Sequence, residues 1–178
     1  MSDKKERVLM MCRLLASYYA EKHYAVCREV GLPNIRARLS NGGFLTKRRA
    51  DFIAINKAEE VVIVETKSCL SDFTSDKKWQ DYLPHCNKFY FCAEEKVAEK
   101  ILERLEADPS ASGVGVFSVV EDERRFMPQL KVSRPAYKHD RATPILPLLW
   151  QMAAHSWVRY DGEFRTKNIF FGSEGDER

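Results

Sequence analysis

No uninterrupted apolar run in the 178 residues approaches the roughly 20 residues that a membrane-spanning helix needs, so no membrane partner is expected. Nor does an apolar signal region follow the N-terminal Met-Ser-Asp-Lys-Lys-Glu-Arg, which makes a cytoplasmic setting the expectation. Glycine (8) and proline (7) are too sparse for a collagen-like or linker-like chain. Cysteine is scarce and odd in number: Cys12, Cys27, Cys69, Cys86 and Cys92 contain no Cys-x-x-Cys pair, which argues against a zinc knuckle or an iron–sulfur cluster. Most of them sit in apolar stretches, as reduced thiols of a cytosolic protein do. The 4 histidines are scattered, and none forms a metal-type pair with another. Charge of one sign is also lacking: 29 basic against 26 acidic residues leave a net charge of +3, which permits nucleic-acid binding but does not argue for it.

What remains is a chain that alternates helical and strand patterns. Val8, Met11, Cys12, Leu15, Tyr18 and Tyr19 recur at helical spacing, predicting a helix from about Lys4 to Lys22. A short strand, Tyr24 to Val30, follows. Asp51–Ile55 and Val61–Val64 are apolar and β-branched, with Asn56-Lys57-Ala58-Glu59-Glu60 as the polar turn between them. Ser71 to Leu83 reads as a helix with Ser71 as N-cap and Pro84 helping to end it. Then come a strand (Lys88–Ala93), a helix (Glu95–Leu105), a strand (Val114–Val120) and an edge strand (Gln129–Ser133). A last helix opens at Thr143-Pro144, with Ile145, Leu148, Leu149 and Met152 facing inward and Trp150 and Trp157 assigned to the core. The order predicts a central mixed α/β sheet flanked by helices on both sides. A single domain is expected over 1–172, its core over about 4–120, with a helical extension at 143–158 and a flexible tail at 173–178.

Between residues 31 and 50 the chain carries Arg36, Arg38, Lys47, Arg48 and Arg49 and no acid, with Asn41-Gly42-Gly43 as a turn. A solvated loop and a phosphate-contacting arm both fit this composition. Lys77 and Lys78, followed by Trp79 and Tyr82, make a basic–aromatic stretch that suits either phosphate contact with base stacking or packing of the two rings into the core.

The hairpin carries the chemistry. A turn over Asn56–Glu60 sets Ile55 opposite Val61, Ile53 opposite Ile63 and Asp51 opposite Glu65. Because side chains alternate faces along a strand, Asp51, Glu65 and Lys67 then share one face with the apolar residues of the hairpin. Facing carboxylates repel. A divalent cation such as Mg2+ or Mn2+ turns that repulsion into a ligand pair. The competing possibility is an exposed Glu65–Lys67 pair with Asp51 beside Arg49, which would do little.

Asp51 followed by Val62-Ile63-Val64-Glu65-Thr66-Lys67 resembles the PD-(D/E)XK nuclease motif. The surrounding Arg48-Arg49-Ala50-Asp51, Val64-Glu65-Thr66-Lys67-Ser68, Ser71-Asp72-Phe73, Asp76-Lys77-Lys78-Trp79, Asp81-Tyr82 and Phe89-Tyr90-Phe91 resemble the MmcB-type DNA repair proteins of bacteria, over residues 48 to 93 and more weakly to about 120. The resemblance implies a restriction-endonuclease-like core and a Mg2+-dependent phosphodiesterase acting on nucleic acid, DNA above all. It makes Asp51 and Glu65 metal ligands together with the Thr66 carbonyl, and Lys67 a base or charge stabiliser. Gln80 would be a supporting residue, although this family more often has proline there. Glu6 or Glu21 could add an acid from the first helix. Asp72 and Asp76 fit the family pattern, but the helix dipole accounts for acids near a helix N-terminus without catalysis. The basic insert, Ile35 to Lys47, is longer than the family leads one to expect. A catalytically silent module that holds DNA or a protein partner, or a phage-type accessory protein on the same fold, are the alternatives.

Overall fold

The computed structural model describes residues 3–33, 48–76, 78–121, 127–160 and 163–166, with side chains described up to residue 154. Six strands form one sheet in sequential order: β1 (Ala25–Gly31), β2 (Arg49–Ile55), β3 (Val61–Lys67), β4 (Lys88–Glu94), β5 (Gly115–Val120) and β6 (Gln129–Arg134). β1, β2 and β3 pair antiparallel, β3, β4 and β5 parallel, and β6 antiparallel along β5. The mixed sheet expected from the alternation of patterns is thus present, with helices on both faces.

Helix α1 (Asp3–Ala20) buries Met11, Cys12, Leu15, Ala16 and Tyr19. Met11, Leu15 and Tyr19, four residues apart, make one stripe that packs on the face bearing Phe52, Ala54, Val62 and Val64. The opposite face, with Ile53, Ile55, Val61 and Ile63, is covered by α3 (Glu95–Glu106) through Ala98, Ile101 and Leu105, and by α4 (Ile145–Ser156) through Leu148 and Met152. All seven residues of β3 are buried. A strand parallel to its neighbour and covered on both faces is normally apolar throughout. Glu65 and Lys67 are therefore the exceptional residues of the central strand.

Several expectations need correction. The segment after β3 is not one helix. It divides into α2 (Leu70–Ser75) and a 3-10 helix (Trp79–His85) that contains Pro84. Cys69, not Ser71, occupies the N-cap. The break falls at Asp76, whose φ of -83° and ψ of 83° leave the helical region, and whose carboxylate is drawn to Lys67. Trp79 and Tyr82 both stack on Phe89, with ring centroids 5.9 and 5.7 Å away, so their faces belong to the core and are closed to nucleic-acid bases. On α4, Leu149 and Trp150 are exposed, Trp150 at 71%. A single stripe of this helix meets the sheet, and Leu148 and Met152 fill it. Trp157 lies in a hairpin rather than a helix, since α4 is followed by β7 (Trp157–Tyr160) and β8 (Glu163–Thr166). Cys12, Cys27, Cys86 and Cys92 are buried, but Cys69 is exposed. The tail at 173–178 lies outside the described residues. Among the described residues no helix is long and apolar enough to cross a membrane.

Candidate active site at the end of the central hairpin

Local chemistry builds the turn between β2 and β3. Asn56 Oδ1 accepts the N–H groups of Ala58 and Glu60, each at 3.0 Å, and Glu59 takes a positive φ of 60°. An Asn side chain imitating a backbone turn is the usual way to close such a loop. The turn fixes the register: Ile55 pairs with Val61, Ile53 with Ile63 and Phe52 with Val64.

The paired ladder ends at Phe52 and Val64, one residue short of the two acids. Beyond it, side chains take over from backbone pairing. The Asp51 N–H donates to Glu65 Oε1 at 3.1 Å, and Thr66 donates to Asp51 Oδ2 through both its N–H and its hydroxyl, each at 2.9 Å. Each carboxylate is thus tied to the backbone of the other strand, and the two acids occupy the same corner of the sheet. Glu65 is 5% exposed. Burial, reinforced by the charge of Asp51 and opposed by that of Lys67, pushes its carboxyl up to about 8.

Lys67 is equally buried. Its Nζ lies 2.5 Å from Asp76 Oδ2, 3.9 Å from Glu65 Oε2 and 5.5 Å from the centroid of the Phe91 ring. A buried ammonium requires compensating charge and acceptors, and here the Asp76 carboxylate supplies the charge, with the Glu65 carboxyl and an aromatic face close by. Asp72, in the first turn of α2, accepts from the Ser68 hydroxyl at 3.0 Å and pairs with Lys4 at 3.2 Å. Burial alone would raise its carboxyl, but the Lys4 and Ser68 contacts outweigh that and hold it below its ordinary value.

The structure thus brings Asp51, Glu65, Thr66 and Lys67 together. Gln80 is exposed on the 3-10 helix, where it lines a surface hollow of about 320 Å³ with Thr74, Asp76 and Arg104. Glu6 and Glu21 are exposed. Of the basic residues, Arg48 is committed to Asp81, its Nε and Nη2 donating to Oδ2 at 2.8 and 2.6 Å. Arg49 and Lys78 are exposed. Arg36, Arg38, Lys47 and Lys77, with the whole Ile35–Lys47 insert, lie outside the described residues.

Two partners escaped the sequence: Asp76, which holds Lys67, and Asp81, which holds Arg48. A signal for the first did exist, because a lysine in a central, otherwise largely apolar strand calls for an acid partner. Among the described residues no group of three or more His, Cys, Asp or Glu side chains is placed to hold a metal ion. Asp51 and Glu65 stand as a pair.

No curated protein matches this chain. Among solved structures, the SPO1766 protein of unknown function from Silicibacter pomeroyi is similar, with a TM-score of 0.60 and 18% identity over 84% of this chain and 86% of that one. At that identity the likeness speaks to the fold alone. A family model described as DNA repair protein MmcB-like matches residues 2–107, which span α1 through α3 and include every residue of the corner just described. The chain belongs to the MmcB-like family of DNA repair proteins.

Proposed function

We propose that this protein is a metal-dependent phosphodiesterase of the PD-(D/E)XK type that cleaves DNA in the cytoplasm. One observation carries the proposal. A buried acid in the central strand, Glu65, shares a corner with a second acid, Asp51, and with a buried lysine, and its carboxyl is pushed up to about 8. Burying such a set costs stability, and groups perturbed in this way cluster at functional sites.

The residues fit a hard divalent cation. Carboxylate and carbonyl oxygens are the donors that Mg2+ and Mn2+ prefer. Asp51 and Glu65 would hold the ion, with the Thr66 carbonyl as a third donor. Thr66 already steadies Asp51 through two hydrogen bonds, so the donors are organised before any ion arrives. Such an ion, when bound, supplies Lewis acidity and lowers the pKa of a nearby water. The reaction itself is hydrolysis: the water oxygen bonds to phosphorus, the bond to the leaving sugar oxygen breaks, and the water's two protons end on the departing alcohol and on solvent. Negative charge grows on the phosphoryl oxygens in between. Lys67, paired with Asp76 as an ammonium, is a donor for that charge rather than a base. Arg49, exposed and beginning β2 two residues before Asp51, would meet a neighbouring phosphate.

Paired variants test the proposal. Asp51→Ala should abolish cleavage and weaken Mn2+ binding, because a ligand is gone. Lys67→Ala should abolish cleavage while leaving Mn2+ binding intact or slightly tighter, because a nearby positive charge is gone. If wild type binds DNA without cutting it, and neither substitution alters that binding, the chain is a silent DNA-holding module instead.

A further inference from the structure

We infer that Asp76 is a positioning residue for Lys67: it holds the ammonium off Glu65, so that the Glu65 carboxylate stays open to a cation while the ammonium remains at the edge of the site. The inference rests on the function proposed above.

The geometry is asymmetric. Lys67 Nζ sits between two carboxylates but bonds to only one, at 2.5 Å from Asp76 and 3.9 Å from Glu65. Lys67 is 5% exposed, so its ammonium depends mainly on protein partners. Without Asp76, the ammonium would have Glu65 as its remaining carboxylate within 4.0 Å. Lys67 and Glu65 lie two apart on one strand and share a face, so a small side-chain rotation closes the gap. Glu65 would then be occupied by Lys67 rather than by a cation.

Asp76 is itself held in place. Its N–H donates to the Phe73 carbonyl at 3.1 Å, and its Oδ1 accepts the Lys78 N–H at 3.2 Å. Phe73 seats α2 edge-on against Phe91, with centroids 5.0 Å apart, and Phe91 is also the ring beneath Lys67. The dipole of α2 does not explain an acid here. Asp76 follows the last residue of α2, the end where negative charge is unfavourable. The turn it makes with Lys78 needs an acceptor oxygen but no charge, and asparagine supplies that equally well. The close ion-pair partner of the Asp76 charge is Lys67.

Asp76→Asn separates these roles, because it keeps the turn and removes the charge. In a crystal structure of the metal-free variant, Lys67 Nζ should close from 3.9 Å to hydrogen-bonding distance of Glu65. Calorimetric titration should show Mn2+ affinity falling about tenfold, within the range of coupling between linked groups. In a Lys67→Ala background the same Asp76→Asn change should leave Mn2+ affinity within about twofold, since the coupling requires both partners. An unmoved Lys67, or an equal loss of affinity in both backgrounds, overturns the inference. Should Asp76→Asn fail to fold, Asp76→Glu carries the test: Lys67 must stay paired away from Glu65 and Mn2+ affinity must stay near wild type. If wild-type protein binds no Mn2+ at all, the proposed function fails, and the position of Lys67 in the Asp76→Asn crystal still decides the role of Asp76.

Discussion

Replacing Glu65 by glutamine should change how stability responds to pH, with a sign opposite to that of most carboxylates. In the unfolded chain Glu65 releases its proton near 4.5, but in the folded, metal-free protein it keeps that proton up to about 8. Between those values the folded state binds one proton more than the unfolded state. Stability therefore falls as pH rises, by about 1.4 kcal/mol per pH unit while the difference lasts. Over the roughly 3.5 pH units of the window the loss reaches an upper figure of about 5 kcal/mol, and above pH 8 it stops growing. Glutamine imitates the protonated carboxyl, and its carbonyl oxygen can still accept the Asp51 N–H. The two proteins should thus be about equally stable near pH 4.5, and Glu65→Gln should gain steadily on wild type up to pH 8. Urea denaturation of both in the presence of chelator, from pH 4.5 to 9, reads the difference directly, because titrations of all other groups largely cancel. Parallel profiles would refute the reasoning: Glu65 would then ionise as an ordinary surface acid does.

Three further outcomes are expected. His85 is buried against the Thr143 hydroxyl and pushed down to about 4 by burial, so below its ordinary 6.5 the unfolded state binds the extra proton. His85→Asn should abolish a loss of up to about 1.4 kcal/mol per pH unit between 6.5 and 4, and an unchanged acid limb in thermal melts would contradict this. Gly115→Ala would place a Cβ 2.3 Å from the Tyr90 ring and 2.8 Å from the Ala136 nitrogen, so it should cost about 1–3 kcal/mol in chemical denaturation; an unmoved midpoint would show that the ring yields freely. Neutralising Arg49 or Lys78 to Gln should lower the salt dependence of DNA binding by about one unit of slope for each phosphate the protein ceases to neutralise, and an unaltered slope would place the DNA elsewhere.

The parts of this architecture that a local period encodes were legible in the sequence. The pairing of Ile53 with Ile63 and of Ile55 with Val61 followed from counting residues across an Asn-led turn; the two acids lie just beyond that ladder, joined by the Asp51 N–H bond to Glu65. The stripe of α1 followed in the same way from spacing. What failed depended on contacts distant in sequence. Nothing local to Ser71–Leu83 announces that Asp76 leaves the helix, because the reason is Lys67, nine residues earlier on a strand. Arg48 looked free for phosphate because its acid, Asp81, lies 33 residues on. Trp150 reads as a core residue in the sequence, yet it is exposed and the covered stripe of α4 holds Leu148 and Met152. Hydrophobicity shows that a helix packs, but which of its faces does so depends on the sheet beneath.

The proposed chemistry is hydrolysis of phosphodiester bonds by the Asp51–Glu65–Lys67 corner with a divalent cation. Its most direct test is incubation of the purified protein with end-labelled linear, nicked, flapped and four-way DNA, in Mg2+, in Mn2+ and in chelator. Shortened products are expected from at least one substrate with a divalent cation, and intact DNA in chelator. Intact DNA in every lane, from protein shown to be folded, would contradict it.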